Sequence, residues 1–272
     1  MKQIKYAAIG DIGIDIYPKI EKRFPGGMAL NSAFHAQKAG LEASVVSAIG
    51  DDKDGAFIRN FLRKNHISDG ALEVIPGKTD TVEITLDKNA RPQYGTWNLG
   101  VLKNYRLTQR QKLFLQKQAV GIAVYLPELR GMFDDFAGLK IPKVIKIGDF
   151  TDLSEFQGDQ SVLNEYIDMF DIFVLSIDEK IDERVENFTA FLQKNTKMGI
   201  MLLGRRGSIC IDRTGKIYSQ SADVTQVIDT TGAGDAYLAT FIGEYIHRKN
   251  IKRAMKKATN TATKVIQCFG AV

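Results

Sequence analysis

Short apolar runs alternate with amphipathic segments along most of this 272-residue chain. The apolar runs predict β-strands at 6–9, 43–48, 121–126, 143–147, 172–175 and 199–203. Apolar residues at helical spacing predict α-helices at 28–38, 56–65, 109–118, 128–136, 163–170, 183–195, 236–248 and 251–267. This alternation favours an α/β fold whose parallel sheet is covered by helices on both faces. Such sheets bind ligands beyond the carboxyl ends of their strands.

Two regions depart from that alternation. Residues 12–17 continue past the first strand, and residues 79–87 alternate polar and apolar side chains before a turn at 88–90 and a further strand at 91–97. Such alternation indicates strands with one covered face. We expect a single domain over residues 1–272, with a small antiparallel β flap from about 12–17 and 79–98 that excludes water from the crevice. A separate hairpin is predicted from 208–212 and 216–219.

Composition excludes several classes of protein. The 37 basic and 32 acidic residues give a net charge of +5, which is too diffuse to indicate nucleic-acid binding. Cys210 and Cys268 are far apart and lack a metal-ligand spacing, so a reducing compartment is expected. No apolar run has the length of a membrane span, and Asp11 interrupts the apolar N-terminal segment. We therefore expect a cytoplasmic protein without a membrane partner.

The segment 229–235 has the sequence DTTGAGD and directly precedes a predicted helix. A helix N-terminus presents free backbone N–H groups to an anion. Gly232 and Gly234 let that backbone approach a ligand closely. Asp235 adds a carboxylate where the anion would bind, which suits a general base acting beside a phosphate.

Three interpretations compete for this segment. The first is a glycine-rich turn with Asp235 as helix cap. The second is a dinucleotide fingerprint, but its spacing requires glycine where the sequence has Tyr237. The third is phosphoryl transfer, with the N–H groups of 232–235 holding the developing negative charge and Asp235 taking the proton of the attacking hydroxyl. The first and third remain open at this point.

Polar residues near the first strand are candidates for binding a polyol. Gly26 and Gly27 lead into the helix 28–38, whose first turns carry Asn31. Asn31 either binds a sugar hydroxyl, with the glycines allowing the ligand to approach, or ties down a loop. Asp11 and Asp15 either accept hydroxyls or serve as turn residues.

Two further loops follow predicted strands. Asp149 and Asp152 either bind a metal-bridged phosphate through water or end their strand. Gly204, Arg206 and Gly207 either border a nucleotide or form a simple turn.

Together these segments resemble the ribokinase-like (PfkB) carbohydrate kinases over nearly the whole chain. The similarity rests on 10–15, on Gly26 and Gly27 with Asn31, on 48–55, on 203–208 and on 229–235, in the family's order. It implies a three-layer α/β/α sandwich with a β lid. It also implies that Asp235 is the catalytic base and that Gly232, Ala233 and Gly234 form an anion hole.

The same resemblance implies the ligand sites. Sugar-binding residues would be Asp11, Asp15, Gly26, Gly27, Asn31 and, from the flap, Tyr94. Residues at the nucleotide would be Gly204, Arg206, Gly207, Thr231 and Gly234. ATP and Mg²⁺ are the expected cofactors, with Glu179 holding Mg²⁺ through water and the backbone of Asp229 and Thr231 holding K⁺. The sequence departs from the family's Asn-x-x-Glu motif, because Ser176 stands at the Asn position.

Within the family the sequence is most similar to the fructoselysine 6-kinases, in its opening segment 9–18, its turn 24–27 and its final segment 264–271. This implies phosphorylation of a primary hydroxyl of a sugar or fructosamine. Arg91, Tyr94 and Trp97 are candidates for contact with the lysine half. The alternatives are a kinase for fructose, another ketose or a nucleoside, and a non-catalytic sugar-binding regulatory protein on the same scaffold. Because exposed flap edges often pair, a homodimer through the flap is a further hypothesis.

Overall fold

The computed structural model describes residues 3–152, 161–177, 182–223 and 225–272. In chain order its strands are β1 Lys5–Ile9, β2 Gly13–Tyr17, β3 Lys22–Gly26, β4 Glu42–Gly50, β5 Ser68–Ile75, β6 Asp80–Leu86, β7 Pro92–Asn98, β8 Val120–Val124, β9 Ile145–Asp152, β10 Ile172–Ser176, β11 Met198–Leu202, β12 Ser208–Ile211 and β13 Ile217–Gln220. Its helices are α1 Met28–Lys38, α2 Lys53–Lys64, α3 Gln109–Leu115, α4 Arg130–Ala137, α5 Ser161–Glu165, α6 Asp182–Lys194, α7 Ala233–Arg248 and α8 Ile251–Val265.

Within the described residues, a nine-stranded sheet runs through the molecule in the order β13-β12-β11-β10-β9-β8-β1-β4-β5. The pairings from β11 to β5 are parallel, and the β12–β13 hairpin adds two antiparallel strands at one edge. The predicted α/β fold with a mostly parallel sheet is therefore confirmed.

Two apolar cores lie on opposite faces of this sheet. One contains buried side chains of α1, α2, α7 and α8, and the other contains those of α3, α4, α5 and α6. The second core is rich in aromatic rings, with Phe150 stacked on Phe173 at 5.6 Å and edge-to-face against Phe133 at 5.5 Å. Burial on both faces explains why the central strands read as nearly continuous apolar runs in the sequence.

A second sheet, the lid sheet, contains four strands in the order β3-β2-β6-β7. The flap predicted from 12–17 and 79–98 is present, and β3 completes it. Its β2–β6 pairing is parallel, whereas β2–β3 and β6–β7 are antiparallel. Residues 12–17 do not extend the first strand, because the chain leaves the central sheet after β1 and β2 pairs within the lid sheet.

Several boundaries differ from the sequence prediction for physical reasons. The edge strand β5 was missed because its sequence SDGALEVI is polar at one end and pairs only with β4. Strand β9 runs on to Asp152, so that Asp149 lies within it rather than after it. Helix α5 ends at Glu165 instead of continuing to 170, and the chain then turns so that Tyr166 and Phe170 enter the aromatic core.

Candidate active site

A cavity of about 260 Å³ lies between the lid sheet and the carboxyl ends of the central strands. The lid contributes Asp15, Val82, Ile84, Pro92 and Tyr94 to its wall. The body contributes Asp11, Gly27, Met28, Asn31, Asp149, Thr151, Asp152, Ser176, Leu202, Thr230, Thr231, Gly232, Gly234 and Asp235. The structure thus brings residues from both ends of the sequence to one crevice, at the sheet edge where parallel α/β proteins bind ligands.

The turn before α7 requires glycine at its centre. Gly232 has φ of 73°, and a Cβ added there would lie 2.3 Å from the Cβ of Ala271. Helix α7 begins directly afterwards at Ala233, so Gly234 and Asp235 lie in its first turn, where a helix leaves N–H groups without intrahelical partners. The helix dipole adds partial positive charge there. This end of the cavity is built to receive an anion.

Asp235 does not cap this helix. Gly232 is the N-cap residue and no side chain forms the cap bond. The Asp235 carboxylate instead accepts a hydrogen bond from Asn31 Nδ2 at 3.1 Å, across 204 residues of sequence. Of the two interpretations that the sequence left open, the capped turn is therefore not what the chain forms.

The part of the cavity wall near Asn31, beside the turn, is rich in hydrogen-bond acceptors. Asn31 is 3 % exposed, and its Oδ1 has no hydrogen-bond partner in the described part of the chain. Asp15 is also 3 % exposed, and no hydrogen bond from a described residue reaches its carboxylate. Asp11 Oδ1 accepts from the Met28 N–H at 3.1 Å. No lysine, arginine or histidine is among the described residues of the wall, so this end favours a ligand rich in donors.

The two glycines before α1 shape this wall. A Cβ on Gly26 would lie 2.1 Å from Asp15 Oδ1, so Gly26 makes room for that carboxylate and does not itself line the cavity. Gly27 does line the cavity. Its φ is 94°, and a Cβ added there would lie 2.6 Å from the carbonyl oxygen of Asp11. Gly26 therefore acts on the site through Asp15.

Burial raises the pKa of four carboxyl groups that line the cavity. The pKa of Asp11 rises to about 6 and that of Asp149 to about 6, chiefly through burial. The pKa of Asp15 rises to about 7 through burial and the neighbouring Asp11 charge. Burial, opposed by the Asn31 hydrogen bond and reinforced by Asp149, raises the pKa of Asp235 well above its usual range. Each carboxylate is thus a stronger base than an exposed one.

Asp80 belongs to the same acidic group, and the sequence interpretation missed it. It is 3 % exposed on β6 and accepts a hydrogen bond from Trp97 Nε1 at 2.7 Å. Burial and the Asp11 charge raise its pKa to about 8. A signal was available, since Asp80, Val82 and Ile84 alternate along β6 and the latter two line the cavity.

Asp229, at the other end of the turn from Asp235, is completely buried. Its Oδ1 accepts from Thr231 N (2.9 Å) and Thr231 Oγ1 (2.6 Å), and its Oδ2 from Tyr17 Oη (2.7 Å) and Gly270 N (3.0 Å). Protein donors therefore occupy both carboxylate oxygens. A monovalent cation here would have to bind backbone carbonyl groups, and K⁺ at Asp229 and Thr231 stays a prediction.

The predicted nucleotide turn stands apart from the cavity. Gly204 and Gly207 have φ of 54° and 95°, and a Cβ on Gly207 would lie 2.0 Å from the Gln220 carbonyl oxygen. Both glycines are therefore needed by the turn that joins β11 to β12. Gly204 and Arg206 are exposed, and neither they nor Gly207 line the cavity, although Leu202 at the end of β11 does. Their contact with a nucleotide stays a prediction.

Oxygen-bearing side chains lie at the end of β9. Asp149 Oδ1 accepts from the Thr151 N–H at 3.0 Å, and Thr151 Oγ1 is buried without a partner among the described residues. Asp152 lies 3.9 Å from Arg184 Nη1 of α6. Thr151 was not singled out in the sequence. Glu179 lies outside the described residues, and no cluster of three metal-ligating side chains occurs within them.

The family profile of the pfkB carbohydrate kinases matches residues 14–272 of the sequence. The chain belongs to this family. The predicted family and the predicted enzyme class, a carbohydrate kinase, are therefore confirmed.

Individual relatives agree with this assignment. The chain is 27 % identical to fructoselysine 6-kinase of Escherichia coli K12 over 267 residues, covering 97 % of the chain and 98 % of the relative. It is 25 % identical to fructosamine kinase FrlD of Bacillus subtilis over 287 residues, covering 98 % of the chain and 93 % of that relative. Identities in this range support a sugar kinase of the pfkB family and leave its substrate undecided.

Solved structures share the fold. A putative ribokinase II from E. coli in complex with ATP and Mg²⁺ matches with a TM-score of 0.80 at 15 % identity, covering 98 % of this pfkB chain and 94 % of the other. Arabidopsis thaliana ribokinase complexed with ribose and ATP matches with a TM-score of 0.79 at 19 % identity, covering 99 % of this chain and 94 % of the ribokinase chain. Within the described part of this chain, no helix is both long and apolar enough to cross a membrane.

Proposed function

We propose that this pfkB-family kinase transfers the γ-phosphoryl group of ATP to a primary hydroxyl of a ketose derivative, with the 6-hydroxyl of fructoselysine as the best candidate. The observation that carries the proposal is the position of Asp235. Its half-buried carboxylate faces the cavity from the first turn of α7, beside the amides suited to an anion, and is held by Asn31.

In this reaction the substrate hydroxyl oxygen bonds to the γ-phosphorus, and the bond from that phosphorus to the ADP oxygen breaks. The hydroxyl proton passes to Asp235. The raised pKa of this carboxyl suits proton acceptance, since a general base works best when its pKa lies near the operating pH. Asn31 Nδ2 fixes one carboxylate oxygen and leaves the other to face the hydroxyl.

The first turn of α7 would hold the charge that develops on the transferred group. Phosphoryl transfer demands positioning and electrostatic stabilisation more than covalent chemistry from the protein. Backbone amides on a rigid helix end provide both, because they need little reorganisation during the reaction. Gly232 allows the turn that presents these amides, because its φ is 73° and a side chain there would meet Ala271.

Magnesium and ATP are proposed as cofactors. Oxygen donors on the cavity wall at Asp149, Thr151 and Asp152 fit a hard cation, which prefers such ligands. Bound with ATP, Mg²⁺ would neutralise phosphate charge. The protein groups named here would orient that complex against Asp235.

The acceptor-rich wall supports a polyol that also carries a cation. Asp11, Asp15 and Asn31 offer oxygen atoms to hydroxyl donors, and no lysine, arginine or histidine is among the described residues that line the cavity with them. The secondary ammonium of a fructosamine is one donor that would supply the missing positive charge. Tyr94 lines the cavity yet is 63 % exposed. We propose that it contacts a substituent that extends from the sugar towards solvent.

A substrate panel tests the proposal. Purified protein is given ATP, Mg²⁺ and, separately, fructoselysine, fructose, ribose and adenosine, with ADP release coupled to a spectroscopic assay. We expect fructoselysine to give the highest kcat/KM. Preference for fructose or a nucleoside would replace the substrate assignment, and absence of turnover on every compound would favour the non-catalytic sugar-binding alternative.

We also propose a homodimer through the lid sheet. Its outer strands β3 and β7 have no further strand beside them in the described structure, and β7 is mostly exposed. Size-exclusion chromatography with light scattering would show a dimer mass, and a monomer across the concentration range would contradict this arrangement.

A further inference from the structure

The hydroxyl of Tyr17 joins the lid sheet to the turn that precedes α7. Tyr17 ends β2, and its Oη donates to Asp229 Oδ2 at 2.7 Å and lies 3.1 Å from Thr231 Oγ1. These contacts cross more than 200 residues of sequence. Tyr17 is 3 % exposed and does not line the cavity. It therefore touches the turn without facing the substrate.

A second lid contact reaches the residue between these two partners. The Thr230 N–H donates to the carbonyl oxygen of Ala90 at 3.0 Å, and Thr230 Oγ1 donates to the same oxygen at 3.3 Å. Ala90 lies in the turn between β6 and β7 with φ of 60°. Lid contacts therefore reach three consecutive residues, Asp229, Thr230 and Thr231, directly before Gly232.

Asp229 transmits the Tyr17 contact to the backbone. Its other bonds go to the Thr231 N–H and hydroxyl and to the Gly270 N–H. Without the tyrosine hydroxyl, Oδ2 of a completely buried carboxylate would retain only the Gly270 amide. A buried charge that loses a hydrogen bond is strongly destabilised, so the turn would shift to satisfy it.

We propose that Tyr17 is a positioning residue which makes the geometry of the anion-binding turn depend on closure of the lid sheet. The inference rests on the proposed kinase function. With the lid closed, Tyr17 and Ala90 hold residues 229–231, and the amides at the start of α7 take the positions needed at the transferred phosphate. With the lid open, these contacts are lost and the turn relaxes, which protects ATP from transfer to water.

The test removes one oxygen atom. Tyr17→Phe keeps the ring, which packs edge-to-face on Phe24 at 5.5 Å. Tyr166→Phe is the matched control. Its hydroxyl also donates to a carboxylate, Asp134 at 2.5 Å, and Tyr166 is likewise 3 % exposed, but it lies in the aromatic core and not in the cavity wall.

We expect Tyr17→Phe to lower kcat by roughly ten- to hundredfold, because small displacements of catalytic groups have effects of that size. KM for ATP should change by no more than about twofold, since a lost transition-state contact leaves ground-state binding intact. Tyr166→Phe should keep its kcat and lose less thermal stability, because the Asp134 side chain is 38 % exposed and can bind water in place of the hydroxyl. If the two variants lose the same stability and the same kcat, Tyr17 is structural only. If the wild type phosphorylates nothing, the proposed function fails instead.

Hydrogen exchange gives a second readout that does not require a substrate. In the wild type, the amides of β6 and β7 and the amide of Thr230 should exchange through the same opening of the structure. Their exchange rates should therefore rise equally with urea at low concentration. Tyr17→Phe should speed exchange in 80–98 and in 228–235, and Tyr166→Phe in neither. Different urea dependence for the lid and for Thr230 in the wild type would overturn the inference, even if Tyr17→Phe does not fold.

Discussion

The two aspartates that bound the segment 229–235 have opposite environments. Asp229 is completely buried, and both of its oxygens are occupied by protein donors. Asp235 faces the cavity, and Asn31 is the one described residue whose side chain donates a hydrogen bond to its carboxylate. One carboxylate is saturated and holds the turn, whereas the other is left available for chemistry. The difference shows that residue type within a motif does not assign the role, since hydrogen-bond saturation separates a structural carboxylate from a reactive one.

Asp235→Asn is expected to have the largest effect on turnover. Loss of the base should reduce kcat by about 10²-fold to 10⁴-fold, because a positioned base contributes that much. Sugar binding should persist, since the amide still reaches Asn31. Steady-state kinetics together with calorimetric titration of the sugar would measure both quantities. Turnover near that of the wild type would remove Asp235 as the base.

Asp229→Asn should instead reduce stability. The amide nitrogen would face donors on Tyr17, Thr231 or Gly270, which leaves buried groups unpaired and costs about 3 kcal/mol or more. Chemical denaturation would report this loss of unfolding free energy. The same measurement on Asp235→Asn should show little loss, and equal destabilisation of the two variants would break the comparison.

Gly232 and Gly234 offer a matched pair within the same turn. Gly232→Ala should cost about 1–3 kcal/mol from its left-handed backbone alone, and its Cβ would also meet Ala271 at 2.3 Å. Gly234→Ala should change stability by less than about 1 kcal/mol, because alanine is favoured in a helix and its Cβ would meet only Leu202 at 3.4 Å. Thermal unfolding of both variants would check the order, and a more stable Gly232→Ala would contradict it.

The pH dependence of stability should reflect three buried aspartates, Asp11 and Asp15 in the cavity wall and Asp80 close to them. The folded-state pKa values of Asp11, Asp15 and Asp80, about 6, 7 and 8, lie above the ordinary 3.8. A raised folded-state pKa means that the folded protein binds protons more tightly than the unfolded chain. This contribution to stability is complete below about pH 4 and is lost as pH rises through about 6 to 8.

We therefore expect the ligand-free protein to gain stability when pH falls from about 8 to about 5. Asp80→Asn should raise the unfolding temperature at pH 8 and flatten this profile, because it removes a buried group that must ionise. Thermal scans across this pH range would measure both effects. An unchanged profile in Asp80→Asn would show that Asp80 does not carry the dependence.

Much of the candidate site was predictable because its residues lie in short segments whose sequence patterns are themselves informative. The turn 229–235, the pair Gly26 and Gly27 with Asn31, and Asp11 and Asp15 were all found from glycine, carboxylate and helix-start signals. The structure brings Asp11, Asp15, Gly27, Asn31, Thr231, Gly232, Gly234 and Asp235 to one cavity. Gly204, Arg206 and Gly207 have equally clear turn signals, yet they do not line it.

The sequence by itself determined the alternation of strands and helices, the family and the candidate base, because periodicity and glycine-rich turns are properties of neighbouring residues. Only the tertiary structure decided that Tyr17 and Ala90 reach the turn, that Asp80 is buried close to Asp11 and Asp15, and that Asp229 and Asp235 differ in availability. Those outcomes depend on burial and on contacts across more than 60 residues, such as Tyr17 with Asp229 and Thr230 with Ala90. The pattern of neighbouring residues does not show which distant donor will form a hydrogen bond with a buried acceptor.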